Sequence, residues 1–208
     1  MGLLGWTEPA ATTGSRYHPE MWWAWTADTG WAEELRVGLV HPYQSLNEAL
    51  VDAVPGDRIL LDAGRYAEDT DLVDVDGLEI VGAGSDPVTG TVFAGGDGPS
   101  QWHLDAATNI ILRDLAIDGE NARRALDIIN GSSVDAWNVR LSRGAQATGA
   151  GIDVVGSTLS LYGGIVESNV STGTGGGASG AASVSPPAAA VARSGDGLSL
   201  TLCACQAW

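Results

Sequence analysis

An all-β chain of stacked coils, plugged at its N-terminal end by one amphipathic helix, follows from three features of this 208-residue sequence. A capped helical segment stands near the start, short apolar strands separated by Gly/Asp turns come after it, and one strand pattern then recurs three times. The composition agrees. Twenty-nine glycines against a single phenylalanine suit many short strands joined by tight turns better than a compact enzyme, because glycine readily takes positive φ.

The helix is predicted from Ser45 to Val54. Ser45 and Glu48 have the S-x-x-E spacing of a capping box. Leu46, Ala49, Leu50 and Ala53 follow at i, i+3, i+4 and i+7 and make one apolar stripe. Pro55-Gly56 stops the helix. After it the period becomes strand-like, with apolar segments at Arg58 to Asp62, Leu78 to Gly82 and Thr91 to Gly96. Strands this short with no helices between them cannot build a βαβ sheet.

The repeat decides among the remaining all-β folds. His103-Leu104-Asp105, Ala125-Leu126-Asp127 and Gly151-Ile152-Asp153 each open a coil. A second strand follows at Leu115-Ala116-Ile117, Val139-Arg140-Leu141 and Ile165-Val166-Glu167. Leu104 and Leu126 stand 22 residues apart, and Leu126 and Ile152 stand 26 apart. Unequal coils with matching strands predict a right-handed parallel β-helix solenoid, whose turns vary in length while its strands stay in register. A leucine-rich repeat would hold a stricter period. Leu104, Leu115, Leu126, Val139, Ile152 and Ile165 are therefore expected to stack in continuous buried rows.

Three regions result. Residues 1–40 form an irregular, Trp-rich segment, 41–169 the capped β-helix, and 170–208 a Gly/Ala/Ser/Pro-rich tail. The tail reads as flexible, or as a frameshifted or truncated end, since it buries too little apolar area to offset ordering its backbone. Trp22, Trp23, Trp25 and Trp31 either pack against the body or stack on sugar rings, with packing favoured because no polar motif accompanies them.

From Tyr43 to Gly84 the pattern resembles the opening of pectin-lyase-like β-helix proteins. The amphipathic helix is followed by Pro55-Gly56-Asp57, the strand Ile59 to Leu61, Gly64-Arg65-Tyr66-Ala67-Glu68 and the strand Leu78-Glu79-Ile80-Val81-Gly82. The resemblance implies that the helix covers apolar side chains and strand edges at the open end of the coil stack. It also implies an extracellular or cell-surface setting. Pectin methylesterases share this opening, but the chain lacks their Gly-Arg-Pro-Trp-like and Asp-Phe-Ile-Phe-like segments, so no catalytic residue carries over.

One constellation carries chemistry. If Leu104, Leu126 and Ile152 point inward, period-two alternation turns Asp105, Asp127 and Asp153 outward, one above another at about 4.8 Å. Such a ladder would hold Ca²⁺ or do acid/base work on a glycoside. Alternatively each aspartate bonds local turn N–H groups and the three never converge. Arg113, Arg123, Arg124 and Arg140 lie near enough in sequence to neutralise the ladder. His18, His41 and His103 lack metal-ligand spacing, and Cys203 with Cys205 is a weak metal signal. No cofactor other than Ca²⁺ is expected.

The net charge of −16 argues against nucleic acid and anionic membranes as partners. No apolar run reaches transmembrane length, and no signal peptide is visible at the start. The expectation is a non-catalytic β-helix region of a secreted or cell-surface protein, a scaffold or a binder of polysaccharide or a surface protein. The alternative is a polysaccharide lyase or hydrolase that uses the Asp105/Asp127/Asp153 ladder or coils beyond it.

Overall fold

The computed structural model describes residues 33–171 and the backbone of 178–180 and 183–184. β1 (Glu34–Val37) precedes the helix α1 (Leu46–Asp52). The coils then run in triplets of strands. The first holds β2 (Arg58–Leu61), β3 (Gly64–Tyr66) and β4 (Thr70–Val73), and the second β5 (Glu79–Val81), β6 (Thr91–Phe93) and β7 (Ser100–Asp105). The third holds β8 (Ile110–Arg113), β9 (Ala116–Asp118) and β10 (Arg124–Ile129). Next come β11 (Ser133–Trp137), β12 (Arg140–Ser142), the short β13 (Ala145–Gln146) and β14 (Ile152–Val155). The last described coils comprise β15 (Thr158–Tyr162), β16 (Ile165–Glu167), β17 (Val170–Ser171), β18 (Ala178–Gly180) and β19 (Ser183–Val184).

Every pairing is parallel and joins equivalent strands of successive coils. Sheet 1 runs β1-β2-β5-β8-β11-β15-β19, sheet 2 runs β3-β6-β9-β12-β16, and sheet 3 runs β4-β7-β10-β14-β18. β13 pairs only with β17. The fold expected from the sequence, a right-handed parallel β-helix, is the fold found, with about six turns.

At most of the corners beside sheet 1 a single left-handed residue makes the sharp bend. Asp74, Ala106, Asn130 and Gly156 have φ of 54°, 52°, 57° and 61° at the sheet 3 to sheet 1 corner. Asp114, Asn138 and Gly163 do the same between sheets 1 and 2. Asn and Asp tolerate this region because their short polar side chains bond locally. Here they also bond the next coil: Asn130 Nδ2 donates to Asp105 Oδ1 over 2.7 Å, and Asn138 Nδ2 to Asp114 Oδ1 over 2.6 Å.

Inside, alternate residues of the three sheets fill the coil. The inward row of sheet 2 runs Tyr66, Phe93, Ile117, Leu141, Val166, so its bulk falls from the capped end onward. Phe93 stacks on Tyr66 with centroids 5.2 Å apart and meets Trp102 edge-on at 4.9 Å. All three are buried.

The helix closes this end. It packs against β1, β2 and β4 with Leu46 and Ala49 fully buried, while Leu50 and Ala53 are only partly covered. Ser45 Oγ accepts from Glu48 N–H, and Glu48 reaches back to Gln44 N–H, one residue before the cap. The remaining helix N–H groups are served from the coil, since the two carboxylate oxygens of Glu68 accept from Leu46 N–H and Asn47 N–H. Asp57, almost fully buried, accepts from Val54 N–H and Glu33 N–H. The Pro-Gly-Asp turn and the Glu of the Gly-x-Tyr-x-Glu segment are thus both fasteners of the cap.

Several expectations need correction. Each coil has three strands, because a sheet 1 strand lies between the two read from the repeat. Leu126 pairs with Ile152 as expected, but with Trp102 rather than Leu104, whose partner is Ile128. The slip is two residues, so Leu104 stays buried, since a shift of two keeps a side chain on its face. Ile165 pairs with Arg140, so Val166 takes the inward place and Ile165 is half-buried. Glu34–Val37, assigned to the irregular start, form a strand, as do Val170–Ser171, Ala178–Gly180 and Ser183–Val184 in the region read as tail. The tryptophans of residues 22–31, His18 and both cysteines lie outside the described residues.

Two predictions follow from the cap. Glu68→Ala should lower the unfolding free energy by about 1–2 kcal/mol, as loss of a helix-capping carboxylate does; an unchanged urea midpoint would show that Glu68 is not a fastener. The second concerns Tyr66, whose Oη lies 3.1 Å from Asp62 O and 3.3 Å from Val37 O. Burial, then the charges of Asp62 and Glu68, push its pKa from 10.0 up to about 12, against the pull of the Asp62 carbonyl bond. The folded chain therefore keeps this proton where the unfolded chain has lost it. The contribution is full below the unfolded value and falls as the pH rises through that interval. Urea midpoints of the parent should drop more steeply than those of Tyr66→Phe over that range, and parallel curves would contradict the assignment.

Candidate functional site

The outer face of sheet 3 gathers the chemistry. Register places Asp71, His103, Asp127 and Asp153 on consecutive coils in one outward row. Asp105 is not among them. It pairs with Val73 and Ile129 one step along the strand, and its carboxylate accepts from Asn130. The expected ladder of Asp105, Asp127 and Asp153 is therefore corrected: His103 stands where the first carboxylate was placed, and Asp71 adds a carboxylate beyond it. The cause is the same two-residue slip.

Ion pairs fix the row. His103 Nδ1 lies 3.1 Å from Asp127 Oδ2, and because a carboxylate only accepts, the shared proton sits on Nδ1. Arg124 spans the next gap, with Nη1 2.9 Å from Asp127 Oδ1 and Nη2 2.9 Å from Asp153 Oδ2. Both oxygens of Asp127 are engaged and its side chain is only 15% exposed. The arginine occupies the position between two carboxylates that a cation would take. Among the described residues, no group of three His, Cys, Asp or Glu side chains forms a metal-holding cluster. At the other end Asp71 is exposed, and among the described residues no hydrogen bond or ion pair holds it.

A loop wall rises beside the row. Asp69 accepts from Asp97 N–H and Gly98 N–H and pairs with Arg123 Nη1 at 3.0 Å, which ties the loop 95–99 to the edge of sheet 3. Gly96 has φ of 92°, and a Cβ there would lie 2.3 Å from Asp69 Oδ1, so only glycine lets the loop sit this close. The following coils reinforce the wall: Gln146 Nε2 donates to Pro99 O, and Arg124 donates to Gly149 O and Thr148 O. Between wall and sheet lies a groove of about 320 Å³, lined by Asp69, Asp71, Gly98, Pro99, Ser100, His103 and Asp127.

A second row, missed in the sequence, lies outside sheet 1. Val81, Arg113, Trp137 and Tyr162 are register neighbours. The Trp137 and Tyr162 rings stack at 3.9 Å with 14° between planes, and the Arg113 guanidinium lies 5.1 Å from the Trp137 centroid. Arg113 is held by Glu79, which also pairs with Arg58. The faces of Trp137 are thus covered by its neighbours, although the residue is 39% exposed. Period-two alternation in β11 and β15 was the signal that would have found this row.

No protein-family model matches the chain, and no curated protein matches it. Among solved structures, a pectin methylesterase from Aspergillus niger is similar, with 14% identity and a TM-score of 0.42. The match covers 76% of this chain and 66% of that one. No residue role is carried over from it, and the roles above rest on the geometry of this chain. No helix among the described residues is long and apolar enough to cross a membrane.

The arrangement predicts how the row responds to calcium. In the parent protein millimolar Ca²⁺ should leave the melting temperature unchanged, because Arg124 already neutralises Asp127 and Asp153. Arg124→Met should cost about 2 kcal/mol by leaving half-buried carboxylates uncompensated. It should also create a melt that Ca²⁺ raises, by mass action on the folded state. A parent that calcium stabilises, or a variant as stable as the parent, would refute this account of the row.

Proposed function

We propose that this chain is a non-catalytic β-helix module of a secreted or cell-surface protein, and that it binds a neutral, hydroxyl-rich polysaccharide along the groove of sheet 3. The observation that carries the reading is the groove itself, a polar row set in place by ion pairs and flanked by a fixed loop wall. Carboxylate and imidazole groups bond sugar hydroxyls well, because charge-assisted hydrogen bonds are the stronger ones. Stacked coils repeat their side chains at about 4.8 Å, which suits a ligand that also repeats. The acidic groove and the net charge of −16 disfavour uronate polymers, nucleic acid and anionic lipid.

The binding reading is preferred to catalysis because both oxygens of Asp127 already hold a partner, His103 on one and Arg124 on the other. One observation favours the enzyme reading, lyase or hydrolase: Asp127 orients His103 by its Nδ1, the arrangement that leaves the other ring nitrogen for proton transfer. The two part in one experiment. Neutral hexasaccharides should bind saturably by calorimetry while oligogalacturonates do not. Asp71→Asn should weaken binding roughly tenfold, as loss of one charge-assisted bond does, and prolonged incubation should release no shorter products. Product release abolished by His103→Ala would replace the binder with an enzyme, and silence across the neutral panel would remove the glycan proposal.

A further inference from the structure

At the capped end sheet 1 gains a further strand, while β3 ends sheet 2 without one. β1 continues sheet 1 beyond β2, and α1 packs beside β4. β3 has only β6 as a partner and so ends its sheet. Gly64 N–H donates to Gly90 O, and Ala94 N–H to Tyr66 O, so both flanking residues of β3 turn their backbone groups toward β6. Alternation then directs the N–H and C=O of Arg65 to the opposite side, where no described residue bonds them. An open strand edge of this kind is a template for one more strand.

The space beside that edge is already shaped. The chain leaves β1 through Gly38, Leu39 and Val40, with Leu39 and Val40 92% and 86% exposed. Gly38 N–H bonds Tyr43 O and His41 N–H bonds Gly38 O, so this excursion is a held turn standing away from β3. Between them lies a cavity of about 380 Å³ whose lining includes the apolar Leu39, Val40 and Tyr66 and the polar Asp62, Glu68 and Gln44. Arg65 contributes little free positive charge because its guanidinium pairs with Glu120.

We propose that this cavity is a β-augmentation site, where an extended basic peptide of a partner protein adds to β3 as the next parallel strand of sheet 2. Main-chain bonds to Arg65 supply the affinity, and side chains at alternate positions supply the choice of partner. An apolar side chain facing the coil covers Leu39, Val40 and the Tyr66 ring. A cationic one reaches the carboxylate of Asp62, which is half exposed and whose one partner among the described residues is His41. The net charge of −16 draws such a peptide to the protein. The site is independent of the groove on sheet 3, which lies on another face of the coil.

The test uses the full chain and three synthetic heptapeptides. One alternates valine with lysine, one alternates valine with glutamate, and one is the lysine peptide N-methylated at alternate amides. The lysine peptide should bind and slow hydrogen exchange at the Arg65 amide. N-methylation on the bonding side should weaken binding about fivefold, the loss of the main-chain bond that the Arg65 carbonyl accepts. The glutamate peptide should not bind. Leu39→Asp with Val40→Asp, both at exposed turn positions, should abolish binding without lowering the melting temperature. Arg65→Pro removes the edge donor and should weaken binding about fivefold. Equal affinity for the methylated or acidic peptide would overturn the proposal, as would an unprotected Arg65 amide. Concentration-dependent self-association that the lysine peptide fails to disperse would assign the edge to a second copy and overturn it too.

Discussion

In-register stacking of parallel coils is the constraint from which this molecule follows. A side chain in one coil meets the same position of the next at the strand spacing, about 4.8 Å. Each row must therefore be compatible with itself. Inward rows meet this with apolar side chains whose sizes compensate, as Trp102 between Thr70 and Leu126 shows. Outward rows meet it by alternating sign. Glu34, Arg58 and Glu79 succeed one another on sheet 1, and on sheet 3 Arg124 leans from the neighbouring row to separate Asp127 from Asp153. Like charges left face to face at that spacing would oppose the stack.

The same rule shapes corners and ends. A coil corner recurs in every turn, so the left-handed residue recurs too, and Asn or Asp serves as well as glycine when its side chain bonds the adjacent coil. At the capped end there is no previous coil to supply partners, and borrowed groups replace it. Glu68 stands in for the missing acceptors of the helix start, and Asp57 gathers the N–H groups around the Pro-Gly turn. Sheet 2 receives no such substitute at Arg65 among the described residues.

Much of this was legible in the sequence, and the misplaced site has one origin. The cap was readable because local chemistry wrote it: Ser45, Glu48 and the apolar stripe all act within ten residues. The coil architecture was readable because strand pattern survives changes of loop length. Register was not, because Leu-Asp occurs at 104–105 and 126–127 while the true partner of Leu126 is a tryptophan. A period-two pattern fixes which face a residue takes but not which rung it joins. That ambiguity spared the core, where Leu104 and Leu126 are both buried, and misplaced the site, where Asp105 and His103 differ wholly in chemistry. Sites are more sensitive to register than cores are, since a core accepts any apolar side chain of fitting size.

Where the row rule is relaxed is then informative. The aromatic row of sheet 1 uses its ring faces internally, Arg113 on Trp137 and Trp137 on Tyr162, so little face remains for a ligand to stack on. The acidic row of sheet 3 is matched from Asp153 back to His103 and then stops. Asp71 adds one more carboxylate, exposed and unheld among the described residues, beside a wall whose glycines and whose Asp69 contacts keep the groove from closing. Its stacking partner is His103, whose Nδ1 is already turned to Asp127. The groove therefore joins a preset, internally neutralised stretch to one uncommitted acceptor. That combination favours recognition by an outside donor over chemistry at Asp127, whose two oxygens each hold a cationic or N–H partner already.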